Sequence, residues 1–371
     1  MWIFLQKFKR ITTSTYYQPE IDGLRFVALF MVVGIMHILH YLNDIFYGHT
    51  WITGHYWRTF VTDGGIGVVL FFVISGYILS LPFAQQHLRN ERKVNIRRYY
   101  LRRLTRLEPP YLLILSLLLL LEVYVVKKYA LNAALPHFLA SVFYVHNFVY
   151  QEASTILPLA WSLEVEVQFY IMAPIFCCIY LFRNRLVRRL IMLLVIFWGL
   201  FYWYGDWSVP HILKYIHFFV AGMLLTDLYV SNSIRIPLLK NSWVWTLLLI
   251  GGLIFFNSQI GFSFYILKMA SMFILFAFIL FNDSVKSYFS NQWLVVIGGM
   301  CYSLYLLHQA IISVVGKIIM YSGINYQNTA YALLFILLFL VSIVIISSIY
   351  FLLIEKPFMK WRPGDKMLKV P

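Results

Sequence analysis

The sequence predicts an all-α, polytopic membrane protein, and three observations carry that prediction. Of 371 residues, 61% are apolar and 12% are charged, where an ordinary soluble domain is about half apolar. The apolar residues fall in blocks of about 20, the length a helix needs to cross a bilayer; "YLLILSLLLLLEVYVV" and "ALLFILLFLVSIVIISSIYFLLI" are two of them. Positive charge is distributed unevenly between the blocks.

Hydropathy divides the chain into about ten spans, roughly 23–42, 64–83, 109–126, 159–182, 190–204, 212–230, 243–256, 264–281, 293–319 and 330–354. An even number places both termini on one side. On that topology only Arg58, Lys127, Lys128, Lys214, Lys268 and Lys317, of 30 Lys and Arg, lie on the side opposite the termini. Basic residues accumulate in the cytoplasm, so both termini of this multi-pass protein are expected there. The net charge of +15 is thus a topology signal, and a nucleic-acid partner is excluded. No repeat of 20–50 residues and no linker to a soluble module is evident, so residues 1–371 are expected to form a single membrane-embedded domain. The N-terminus lacks a small-residue cleavage site. Cys177, Cys178 and Cys301 are read as core residues, and nothing resembles metal-ligand spacing.

The first span places Arg25 at its cytoplasmic end and His37 about 18 Å further along, with His40 at the outer interface. An ionisable side chain inside a span is a functional candidate by default, which singles out His37. In the second span, glycines and the Ser75-Gly76 pair permit close helix approach. A cytoplasmic loop, 84–108, then carries Arg97, Arg98, Arg102, Arg103 and Arg106. On a helix Arg98, Arg102 and Arg106 form one stripe with Arg103 beside it. Such guanidinium groups suit phosphate capture; attraction to anionic lipid headgroups explains the same patch. Pro109-Pro110 is expected to end the stripe.

An external loop, 127–158, holds an apolar stretch too short to span, either re-entrant or interfacial. The span that follows opens with Glu164 and Glu166, then Gln168, with Ser162 and Glu166 on one face. Carboxylates complement a helix N-terminus, but Glu166 lies about 7–8 Å deeper than Trp161 and needs a partner. His308 and Gln309 sit inside a late span, where an interhelical hydrogen bond is the plain role. Glu355 and Lys356 are expected at the cytoplasmic surface.

Taken together, "YQPEIDGLRFVAL" (17–29), "GVVLFFVISGY" (67–77), "RRLTRLEPPY" (102–111), "WSLEVEVQFY" (161–170), "YSLYLLH" (302–308) and "IEKPF" (354–358) resemble, in order, the motifs of the acyltransferase-3 family of integral membrane O-acyltransferases. The stand-alone type is indicated, with no appended hydrolase-like domain. The resemblance implies transfer of an acyl group, usually acetyl, from cytoplasmic acyl-CoA to a hydroxyl of an extracytoplasmic glycan or lipid-linked sugar. It implies no metal. His37 matches the family's essential histidine, Arg25 its partner, Arg102, Arg103 and Arg106 its cytoplasmic arginines, Glu166 its acid and His308 its late histidine.

Chemistry fits the assignment. A sugar hydroxyl needs a base, and neutral imidazole serves. A carboxylate, with Glu166 a candidate, would orient it. The arginines, Arg98 included, would hold the phosphates of CoA. For the oxyanion, Ser162, Gln168, His308 or a backbone amide are candidates. Two departures stand out. Eleven residues separate Arg25 and His37 where the family has ten, which in a regular helix turns the two about 120° apart; a π-bulge near Gly34 is predicted to absorb the extra residue. Val69 occupies a position where the family carries Asp, so that role is missing or falls elsewhere, for instance to Asp63. The alternative reading is a transporter or flippase for a polysaccharide or lipid-linked sugar, which would favour internal inverted repeats that the sequence does not display. A weaker one is a membrane scaffold whose polar residues pack helices.

Overall fold

With no water in the bilayer core, a spanning segment must satisfy its own backbone groups, and apolar blocks of this length do so as helices. The computed structural model describes residues 6–11, 17–48, 65–205, 210–233, 242–256 and 261–360. Among these residues nine helices are long and apolar enough to cross a membrane. They are α1 (Pro19–Phe46), α2 (Ile66–Leu88), α3 (Ile96–Val125), α6 (Ala160–Leu181), α7 (Arg185–Gly205), α8 (Ile212–Val230), α10 (Phe262–Phe281), α13 (Cys301–Tyr321) and α14 (Thr329–Lys360). Shorter helices are α4 (Leu131–Val142), α5 (His146–Tyr150), α9 (Ser242–Phe255), α11 (Asp283–Phe289) and α12 (Gln292–Gly299).

Several expectations are corrected. The block at 243–256 gives only the 14-residue α9, short of a span. The block at 293–319 breaks at Met300 into α12 and α13. The loop 84–108 is mostly helix: α2 runs on to Leu88, and the arginine stripe is the first part of α3. Pro109 and Pro110 lie inside α3 without ending it. Cys178 is exposed, unlike Cys177 and Cys301. Asp63 lies outside the described residues.

Packing divides the chain into two units, residues 1–71 with 235–356, and residues 72–234 with those from Pro357 on. In the first, α1 lies against α12 with no room for side chains at the crossing. A Cβ added at Gly298 would fall on the carbonyl of Asp22, and one at Gly23 on that of Phe289. The buried Asp22 carboxylate accepts from Arg10 Nε at 2.8 Å, Arg25 Nη1 at 2.7 Å and Tyr17 Oη at 3.0 Å, the compensation a buried charge requires. Glu355 is fully buried rather than at the surface. Its Oε2 accepts from the Ser303 backbone N–H at 3.2 Å and hydroxyl at 2.5 Å, capping the first turn of α13.

Helix α1 is not regular. It is α-helical to Phe30, π-helical over Met31–Ile38, and π-helical again over Leu42–Phe46 after one short α segment. Gly34 lies within the first wide stretch, where the bulge was predicted. A wide turn takes up one extra residue, so the twelve steps from Arg25 to His37 rotate as about eleven would, leaving roughly 20° between them instead of 120°.

In the second unit, α2 and α8 cross at Gly76 and Gly222. A methyl at either would meet the opposing backbone, the carbonyl of Phe219 or of Val73, which is the close approach expected of the Ser-Gly pair. The C-terminal end of α8 draws cations, as a helix dipole does. Arg188 Nε and Arg189 Nε reach the Asp227 carboxylate at 2.5 and 2.6 Å, and Arg89 Nε reaches the Val230 carbonyl at 2.9 Å.

Gly76→Val forces α2 from α8 and should cost about 1–3 kcal/mol, read as earlier thermal unfolding in detergent. Gly65→Ala, whose methyl meets nothing within 4 Å, should leave the transition in place. Equal behaviour of the two would remove the crossing from the account.

Candidate active site

In the first unit the π-helical stretch of α1 carries His37, and α13 carries His308. The rings meet edge to face, centroids 4.8 Å apart. His308 Nδ1 lies 2.7 Å from the carbonyl of Tyr305. A carbonyl only accepts, so His308 Nδ1 carries the proton and Nε2 presents a lone pair. That lone pair lies 3.1 Å from His37 Nδ1, which also lies 3.0 Å from the carbonyl of Val32, five residues back along the wide turn. Two acceptors on one nitrogen fix the proton of His37 on Nδ1. His37 Nε2 is therefore a lone pair with no hydrogen-bond partner among the described residues. His308 is completely buried. Arg25, on the same helix, is held by Asp22. His40 is exposed and pairs with Asp44 at 3.0 Å.

In the second unit, Glu166 of α6 has found its partners. Ser75 of α2 and Tyr170, one turn on, both donate to its Oε1 at 2.5 Å. Arg103 of α3 lies 5.8 Å from the ring centres of both Tyr99 and Tyr170, a doubled cation–π contact, and interacts electrostatically with Glu166. The arginines thus divide. Arg97, Arg98 and Arg102 are exposed on the first turns of α3, whereas Arg103 and Arg106 turn inward, Arg106 with a buried Nε that has no described acceptor. Sequence reasoning passed over Tyr99 and Tyr170 and saw Ser75 only as a small residue. The i, i+4 spacings Tyr99–Arg103 and Glu166–Tyr170 were the available signal.

The three oxyanion candidates differ in what they can donate. Ser162 Oγ donates to the carbonyl of Leu159 at 3.2 Å. His308 has its one N–H on Tyr305. Gln168 Oε1 accepts from the Ile212 backbone N–H at 2.9 Å at the start of α8, which orients the carboxamide and leaves a buried Nε2 with no described acceptor. Glu164 Oε2 accepts from the Asn147 backbone N–H at 2.9 Å, so this acid braces α5 against α6.

Comparison with known proteins agrees with these motifs. An acyltransferase domain model matches residues 18–351. The putative O-acetyltransferase SAS0844 of Staphylococcus aureus (strain MSSA476) is 26% identical over 94% of this chain and 59% of its own length. The O-acetyltransferase OatA of S. aureus (strain NCTC 8325 / PS 47) is 27% identical over 82% of this chain and 52% of its own. The chain therefore spans between half and three fifths of these relatives. No solved structure matches. With most of its length covered by that model, and with the histidine, arginine and glutamate motifs in order on membrane-spanning helices, the chain belongs to the acyltransferase-3 family.

Proposed function

We propose that the protein is a membrane O-acyltransferase, moving an acyl group, acetyl in the simplest case, from cytoplasmic acyl-CoA to a hydroxyl of an extracytoplasmic glycan or lipid-linked sugar in the bacterial inner membrane. The observation behind this reading is the wiring of His37, whose Nδ1 is engaged twice while Nε2 is left basic.

The hydroxyl proton passes to His37 Nε2 as its oxygen forms a bond to the thioester carbonyl carbon. The tetrahedral oxyanion then collapses, breaking the C–S bond, and His37 returns the proton to the departing CoA thiolate. In the imidazolium state the Nδ1–H bonds to Val32 and His308 become charge-assisted and strengthen. His308 thus does the work that an aspartate does in a hydrolase triad, as a neutral acceptor. It acts through His37 and is a positioning residue. Arg25, held by Asp22, supplies positive charge at the opposite end of α1.

The second unit supplies the anion-binding surface. Arg98 and Arg102 present exposed guanidinium groups on the first turns of α3, suited to the phosphates of CoA, and Arg106, turned inward on the same stripe, offers a buried Nε. Arg103 is committed to Tyr99, Tyr170 and Glu166 and fixes that stripe to α6.

His37→Ala should lower acyl transfer by about 10²–10⁴-fold with acyl-CoA binding intact, in assays of purified protein with labelled acetyl-CoA. Transfer that survives the substitution removes His37 from the chemistry, and transport without CoA binding would favour the flippase reading. For His308, the alanine variant should lower kcat with KM unchanged. His308→Gln, which still offers an acceptor oxygen, should recover part of the loss; no difference between the two would make His308 a packing residue. Arg98→Ala and Arg102→Ala should weaken acyl-CoA binding in a salt-sensitive way, with a smaller change in unfolding temperature than Arg103→Ala. Arg103→Ala should lower that temperature, by losing the contact with two aromatic rings.

A further inference from the structure

We propose that residues 124–149 form an in-plane membrane anchor that lies at the headgroup level of the bilayer and binds phospholipid phosphates through Lys127 and Lys128. The stretch joins α3 to α6 within the second unit, and the acyl transfer proposed above does not use it.

Its outer face is a regular apolar stripe. Leu131, Leu135, Leu139 and Phe143 follow one another at i, i+4 and are 43, 41, 47 and 71% exposed, and Phe148 and Val149 continue the exposed apolar surface. The opposite face is already used. Ala134, Ala140 and Ser141 are buried, Tyr111 Oη of α3 donates to the Ser141 carbonyl at 3.0 Å, and Tyr111 stacks on Tyr144 at 5.0 Å. The free stripe is therefore the outer surface of a packed element.

Length and backbone chemistry decide what covers it. The 12 residues of α4 reach about 18 Å, well short of the roughly 30 Å hydrocarbon core. Pro136 lies inside α4 and has no N–H, so the Asn132 carbonyl four residues earlier lacks its usual donor. Both residues are exposed. Such a carbonyl is tolerated in interfacial water and disfavoured among lipid tails, which argues for the interface over a re-entrant path. Charge agrees. Lys127 and Lys128 are exposed immediately before α4, with the Lys128 ammonium 4.8 Å from the Tyr129 ring centre and Tyr124 exposed one turn earlier. Basic residues beside tyrosines at the edge of an apolar face are the composition of a headgroup contact.

The anchor is tied to α6. His137 Nδ1 and His146 Nε2 are 2.9 Å apart, and His146 Nδ1 donates to the Glu152 carbonyl at 3.1 Å. The next residue, Asn147, donates its backbone N–H to Glu164 and its side-chain amide to the Trp161 carbonyl at 3.4 Å. Fixing the stripe in the headgroup layer thus sets the depth of the α6 turn that carries Ser162, Glu164 and Glu166.

Spin labels at Leu135→Cys, Leu139→Cys and Phe143→Cys, on a Cys178→Ser background in nanodiscs with anionic lipid, test this through the ratio of oxygen to nickel-chelate accessibility. All three should report one shallow depth just below the phosphates, and Asn132→Cys should be several-fold more accessible to nickel. A re-entrant helix would separate labels 135 and 143 by up to about 12 Å in depth, and that gradient would overturn the proposal. High nickel access at all three would do the same, pointing to a face for a soluble partner. Lys127→Glu with Lys128→Glu should shift the labels toward water in zwitterionic and anionic phospholipid nanodiscs alike, and further in the anionic ones; labels that keep their depth in both would remove the phosphate contact.

Discussion

The candidate site depends on one hydrogen-bonding arrangement, the fork from His37 Nδ1 to the Val32 carbonyl and to His308 Nε2. An imidazole at membrane depth is costly unless its proton is placed, and an unplaced proton leaves either nitrogen basic at random. Here the backbone of Tyr305 fixes the proton of His308, which leaves a lone pair for His37, which in turn leaves its own second nitrogen open. The direction of the chain follows from carbonyls that can only accept. It requires the π-helical stretch of α1, because the wide turn brings the carbonyl five residues back into reach of the side chain.

The same two means stabilise both units. Around α1, buried carboxylates are matched to donors: Asp22 to two arginines and a tyrosine, Glu355 to the first turn of α13. In the second unit Asp227 is matched to two arginines and Glu166 to two hydroxyls, and glycine permits backbone contact in both, at Gly23 and Gly298 in the first and at Gly76 and Gly222 in the second.

Much of this was legible in the sequence, for reasons that are physical. Hydropathy found the spans because lipid leaves the backbone few options, and the surplus residue between Arg25 and His37 exposed the π turn because helical phase is rigid. The arginine stripe was misplaced in a loop because charge density was read as solvent exposure, whereas long arginine side chains let a helix continue beyond the membrane. Glu355 was misread because its partner, Ser303, is remote in sequence, and the Glu166 hydroxyl partners were missed for the same reason at Ser75. The pairing of His37 with His308, 271 residues apart, had no local signature at all; each histidine stood out alone through its cost in lipid.

The most direct test is the protonation of His37 itself. Solid-state nitrogen NMR of histidine-labelled protein in bilayers, with His37→Gln to assign the signal, distinguishes a protonated from an unprotonated ring nitrogen. The expected result is a neutral ring with the proton on Nδ1 and an unprotonated Nε2, and a coupling from Nδ1–H to His308 Nε2 that vanishes in His308→Ala. A neutral His37 protonated at Nε2 would contradict it, since the nitrogen assigned to take the hydroxyl proton would already carry one.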